Sequence, residues 1–174
     1  MGQGVFSQCI SLQNVTLSSK LRLIPKEAFY KCTSLVNLIF PESVIALGDS
    51  AFYGCSSLKR LVLPEGIIDI LSRCFSNCTS LESICLPTTL KSIGVDAFEK
   101  CDALTDVYFT GNESDFEDLE ISSGNSRLEF ADIKCNHDHI KQAKVTIFGA
   151  DCTQEGYSVY NCPCGTVTKS NIVP

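Results

Sequence analysis

Tryptophan is absent from this 174-residue chain, methionine occurs once and histidine twice. With His137 and His139 as the only imidazoles, there is little material for acid–base catalysis or metal ligation. Basic residues are also scarce, 14 Lys/Arg against 20 Asp/Glu for a net charge of -6, and they are not clustered. Nothing here would release counterions from a phosphate backbone or hold an anionic membrane, so nucleic acid is not an expected partner. Long apolar runs are missing too. Val44 to Leu47, and Ile67 to Leu71 with its Asp69, fall far below the roughly 20 residues of a spanning helix, so no membrane insertion is expected. The N-terminus has neither a basic leader nor an apolar core, which is the pattern of a chain without a signal peptide. No glycine-rich phosphate loop, nucleophile elbow or isolated carboxylate pair stands out, so neither an enzyme nor a cofactor is expected.

What the chain does have is a repeat. Phe recurs at Phe6, Phe29, Phe52, Phe75 and Phe98, Cys at Cys9, Cys32, Cys55, Cys78 and Cys101, and Leu at Leu12, Leu35, Leu58, Leu81 and Leu104, each series stepping by 23 residues. A fixed period in the twenties predicts a solenoid, in which each coil buries its apolar side only against its neighbours. Within a repeat, Leu35 to Pro41, Leu58 to Pro64 and Leu81 to Pro87 read as strands whose inward and outward positions alternate, with Pro ending the ladder. These strands should stack in parallel. The return path carries a second apolar pair, Val44 with Leu47, Ile67 with Ile70, Leu90 with Ile93 and Leu21 with Ile24. Gly48 and Gly94 follow as turn residues; Pro25 and Leu71 stand at the same place, so a positive φ is not expected to be obligatory there. A short helical turn, Ala-Phe-x-x-Cys, should then pack its Phe inward. Met1 to Phe6 aligns with Leu47 to Phe52, so the sequence starts halfway round a coil, as a fragment of a longer protein would.

Eleven cysteines suggest a secreted disulfide scaffold at first sight. Thiols recurring at one position of a solenoid instead point into one buried layer, where a free Cys behaves as a small hydrophobe. The repeat series is therefore expected to be an unpaired core ladder.

The pattern Ala-Phe-x-x-Cys-x-Ser-Leu-x-x-(Ile/Leu/Val)-x-(Leu/Phe)-Pro, carried over residues 1 to about 110, resembles the BspA-type leucine-rich repeats. Arg73-Cys74 before Phe75 and Lys20-Leu21 on the return path are mild departures. The resemblance implies a right-handed leucine-rich-repeat solenoid with a parallel β-sheet and short helical turns. It also implies an extracellular or cell-surface module that binds a protein or glycan ligand, such as a host surface or matrix component.

Two columns of side chains should face outward from the strands: Asn14, Asn37, Arg60, Ser83 and Asp106, and beside it Thr16, Ile39, Val62, Cys85 and Tyr108. An apolar outward stripe marks an interaction site, although β propensity alone also favours these residue types. The candidate binding residues are accordingly Asn37, Ile39, Arg60, Val62, Ser83, Cys85, Asp106 and Tyr108. A binding and adhesion module is one functional reading, and a structural spacer displaying another domain is the alternative.

After Phe109 the period breaks. Ser114 to Glu117 has a capping-box pattern and predicts a short acidic helix from about Asp115 to Glu120, with Phe116 and Leu119 turned inward. Tyr108, Gly111, Phe116, Asn125, Leu128, Ala131 and Ile133 resemble the terminal unit that closes BspA-type arrays, with Phe116 where that unit usually has Trp. The domain reading is repeats over 1–109, cap and linker over 110–140, and a small β-rich Cys-containing module over 141–174. In that module Val145 to Phe148, Tyr157 to Tyr160 and Thr166 to Lys169 alternate like strands. Its cysteines admit three readings: a Cys152–Cys162 disulfide, free thiols, or a structural zinc held by Cys135, His137, Cys162 and Cys164, where Cys-x-Cys is a poor substitute for the usual spacing.

Overall fold

The structure, a computed structural model, describes residues 1–136 and three strands beyond them, and it forms the expected solenoid. Each coil lays down one front strand: β1 (Asn14–Thr16), β3 (Asn37–Ile39), β5 (Arg60–Val62), β7 (Ser83–Leu86) and β9 (Asp106–Phe109). The return path is more regular than its apolar pairs suggested, because it forms a second set of two-residue strands. These are β2 (Leu23–Ile24), β4 (Ala46–Leu47), β6 (Asp69–Ile70) and β8 (Ser92–Ile93). All pairings in both sets are parallel and step by one repeat, as in Arg60 opposite Ser83 and Ile70 opposite Ile93. Between the two sets lies one continuous core in which Val44, Leu47, Leu58, Leu61, Ile67, Ile70, Leu81 and Ile84 are buried.

The Ala-Phe-x-x-Cys segment is not a helix, contrary to expectation. It is a chain of i→i−3 turns, with Ala28 N bonded to Pro25 O, Tyr30 N to Glu27 O and Cys32 N to Phe29 O. Helical continuation is broken because residues at two repeat positions adopt left-handed φ. Glu27, Ser50, Arg73 and Asp96 form one such row, and Gln8, Lys31, Gly54, Asn77 and Lys100 the other. Left-handed backbone is costly for side chains other than glycine. The compensation is hydrogen bonding between coils: Glu27 N, Phe29 N and Lys31 N donate to Asp49 O, Ala51 O and Tyr53 O of the next coil, and the triplet recurs from Ser50 and from Arg73. This third ladder stacks the Phe rings Phe6, Phe29, Phe52, Phe75 and Phe98 at centroid separations of 5.2 to 5.6 Å.

Four of the five repeat thiols sit below this ladder as expected, whereas Cys9, in the first coil, is exposed. Cys32, Cys55, Cys78 and Cys101 are buried and unpaired, and each donates its S–H to the Phe carbonyl of the preceding coil at 3.0 to 3.2 Å. That bond is a second one for each carbonyl, which already accepts a backbone N–H within its own turn, as Phe29 O does from Cys32 N. Gly48 and Gly94 do not have positive φ. They are required by close approach, since an added Cβ would lie 2.4 Å from Lys26 N and 2.7 Å from Ser72 N respectively.

The last coil is closed by 110–136. Helix α1 (Glu113–Glu117) begins two residues before the expected Asp115. Its N-cap is Asn112, reciprocated by Asp115, so the Ser114 to Glu117 box is not the one used. Glu120, expected to end that helix, instead opens β10 (Glu120–Ile121), which pairs with β8, while β11 (Asp132–Lys134) pairs with β9. The closing segment thus adds a strand to each sheet. Leu119 and Leu128 of α2 (Ser126–Phe130) are buried, and Phe116 packs edge-on against Phe109 at 5.4 Å. Phe98 N has no further coil to bond, and the buried Asn125 side chain supplies the missing acceptor at 3.0 Å. Farther on, β12 (Lys144–Phe148), β13 (Tyr157–Cys162) and β14 (Gly165–Ser170) form an antiparallel sheet.

Candidate binding surface

The outward side chains of the front strands form columns because parallel pairing is in register. Asn14 stands over Asn37 and Thr16 over Ile39, then Arg60 over Ser83 over Asp106 and Val62 over Cys85 over Tyr108. The columns run two residues further than expected. Asp132 is opposite Asp106 and Lys134 opposite Tyr108, a step of 26 residues rather than 23 that hid them from the period.

The face is not uniform. Asn14, Thr16, Asn37, Ile39 and Arg60 are exposed, and Ile39 retains 38% of its surface. Asn37 Nδ2 donates to Asn14 Oδ1 at 3.2 Å, joining neighbouring rungs. Val62 is half-buried, and Ser83, Cys85 and Tyr108 are 4%, 0% and 8% exposed. Cys85 and Tyr108, with Val62 against them, form an apolar cluster separate from the solenoid core.

Beside that cluster lies a cleft of about 460 Å³ lined by Arg60, Glu82, Ser83, Thr105, Asp106 and Tyr108. Its charges are paired. Arg60 approaches Glu82 at 3.8 Å, and the Lys134 ammonium bonds Asp106, reaches Asp132 at 3.2 Å and sits 5.1 Å above the Tyr108 ring. The hydrogen bonds from Lys134 and Thr105 hold the Asp106 carboxyl below its ordinary range, and the same Asp106 and Asp132 partners push Lys134 up. Asp106 and Lys134 are therefore both held in their charged, hydrogen-bonded forms at neutral pH.

The buried repeat thiols are unsuited to nucleophilic work. Burial pushes Cys55 and Cys101 up to about 12 and Cys78 well above the ordinary thiol value, so the reactive thiolate is suppressed. Cys135 is half-buried and raised by desolvation, with Glu113 adding to the effect. Of its suggested metal partners, His137 and Cys164 lie outside the described residues and Cys162 falls in β13. Cys152 of the suggested disulfide also lies outside the described residues. Among the described residues no group of three His, Cys, Asp or Glu side chains is placed to hold a metal ion, and no helix is long and apolar enough to cross a membrane.

The profile of the family described as BspA type leucine rich repeat region matches residues 1–129 in six copies. The chain belongs to the BspA-type leucine-rich repeat family. As a BspA-type repeat chain it is a protein-interaction scaffold. Among solved structures it is similar to a leucine-rich repeat protein from Bacteroides ovatus, with 31% identity and a TM-score of 0.61 over 76% of this chain and 32% of the other. The chain thus spans about a third of the length of that relative. It is also similar to the T. pallidum leucine rich repeat protein, at 27% identity, 60% coverage of each chain and a TM-score of 0.49. A leucine rich cell surface protein from Faecalibacterium prausnitzii matches at 30% identity over 60% of this chain and 34% of the other, with a TM-score of 0.49. No curated protein matches the chain. BspA-type membership accounts for the stacked Phe, Cys and Leu rows.

Proposed function

We propose that the chain is a non-catalytic binding module of a secreted or cell-surface protein, whose front sheet takes a protein or glycan partner, such as a component of a host surface or matrix. The observation that carries this reading is the exposed end of the front face. There Asn14, Thr16, Asn37 and Ile39 stand in register on paired strands, with the Arg60 guanidinium on the next coil. Side chains mounted on hydrogen-bonded strands lose less freedom on binding than loop side chains, so less of the interaction energy is spent on ordering them. An apolar Ile39 flanked by amides and a guanidinium supplies both contact area and hydrogen-bond donors, the combination found at interface centres. The protonated, buried thiols support the non-catalytic part of the reading.

The test is a binding screen of the chain against matrix proteins and a glycan array, run beside Ile39→Glu at matched thermal stability. A charge in the middle of such a contact should weaken binding at least about tenfold, as truncation of a central residue commonly does. Binding that is unchanged in the variant would move the site off this end of the sheet. If neither chain binds anything, the spacer reading takes its place.

A further inference from the structure

Ser83, Cys85 and Tyr108 point away from the solenoid interior, out of phase with the inward Ile84 and Val107, yet they are as buried as core residues. Exposure at the equivalent positions of the first two coils, Asn14, Thr16, Asn37 and Ile39, shows that the sheet itself does not bury these columns. A later strand of the same chain is close by: β14 runs alongside β3, β5 and β7. It does so without joining the front ladder, because the β12–β13–β14 sheet and the β5–β7–β9–β11 sheet share no strand pairing.

We propose that the C-terminal three-stranded sheet is an intramolecular cover over the Val62, Cys85 and Tyr108 part of the front face, and that a partner reaches this part only when the cover lifts. The use by a partner rests on the binding role of the front sheet; the cover does not. Two properties make it a switch. Among the described residues no strand pairing ties the cover to the solenoid, so lifting it leaves the stacked core and its closing segment intact. What holds it includes a small apolar cluster, the kind of contact that opens below the free energy of global unfolding. Partner affinity at the covered residues is then reduced by the fraction of molecules that are uncovered, while Asn37 and Ile39, although β14 also runs beside their strand, are exposed with the cover in place.

Cys85 is a built-in reporter, because its thiol faces outward under the cover while Cys78 and Cys101 face into the core. The experiment is alkylation of the native chain with iodoacetamide, resolved site by site by tandem mass spectrometry. In the parent, Cys85 should react at least roughly tenfold more slowly than the exposed Cys9, in keeping with protection by a closed state. Val62→Glu places a charge in the covered cluster and should raise the Cys85 rate about tenfold or more, with Cys78 and Cys101 still protected. Ile68→Glu, at a position 53% exposed, should leave it unchanged. In urea, the parent should release Cys85 at a concentration where Cys78 is still protected. Rapid modification of Cys85 in the folded parent overturns the proposal, and so does release of Cys85 only together with Cys78. None of these readouts involves a partner, so a failed binding screen leaves the cover standing, and an exposed Cys85 leaves the Ile39 surface standing.

Discussion

Raising the pH should unfold this protein abruptly, and the cause is the thiol ladder. Cys55, Cys74, Cys78 and Cys101 are buried, and desolvation is the leading cause that raises each of them above the ordinary 9.0, to about 12 for Cys55 and Cys101. A group whose folded value lies above its unfolded value contributes stability that is complete below the unfolded value and is lost as pH rises towards the folded one. For these thiols the loss begins near pH 9 and continues to about 12. At pH 10 an unfolded thiol has gained about 1.4 kcal/mol by ionising, so four of them cost the fold about 6 kcal/mol, and each further pH unit costs about as much again. That is comparable with the whole stability of an ordinary domain, about 5–15 kcal/mol. The assay is thermal unfolding followed by circular dichroism from pH 7 to 11 under a thiol-free reductant, for the parent and for Cys78→Val. Replacing Cys78 removes one of two hydrogen bonds to the Phe52 carbonyl, which keeps the Cys55 N–H, and should cost about 1 kcal/mol or less at pH 7. Above pH 9, however, the variant should lose stability about 1.4 kcal/mol per pH unit more slowly than the parent. Superimposable alkaline limbs would refute the argument, because they would mean that these thiols ionise as readily folded as unfolded.

Two further outcomes test the core and its closure. Phe52→Ala removes a ring stacked between Phe29 and Phe75 with Phe40 at its edge, and should cost about 3–5 kcal/mol. Phe6→Ala, partly buried and stacked on Phe29, should cost about 1–2 kcal/mol. Urea unfolding measures both, and equal midpoints for the two variants would contradict the stacked column. Asn125→Ala strips a donor from Gly94 O and Ser122 O and the acceptor from the buried Phe98 N–H, a loss of about 2–4 kcal/mol. Hydrogen exchange reads it directly, since the Phe98 amide should lose protection relative to that of Phe75, whose acceptor is the Ala97 backbone.

The period of 23 was enough to place the solenoid, the parallel stacking, and the buried Phe, Cys and Leu rows, because in a stacked array each inward position meets its own copy one coil away. Where the structure departs from the sequence reading, the deciding interactions run between coils or between segments far apart in the chain. Gly48 and Gly94 looked like turn glycines, and it is the Lys26 and Ser72 backbones of the preceding coil that exclude a Cβ. Ala-Phe-x-x-Cys looked helical, and the bonds to the following coil hold Glu27 and Lys31 in left-handed backbone instead. Asp132 and Lys134 were invisible as members of the outward columns, since they join through pairing with β9 and not through the period. On the front face the strand pattern settled which residues point out. Whether those residues meet solvent is a different matter, decided by what packs over them, and that is why Ile39 is exposed while Cys85, its counterpart two coils on, is buried.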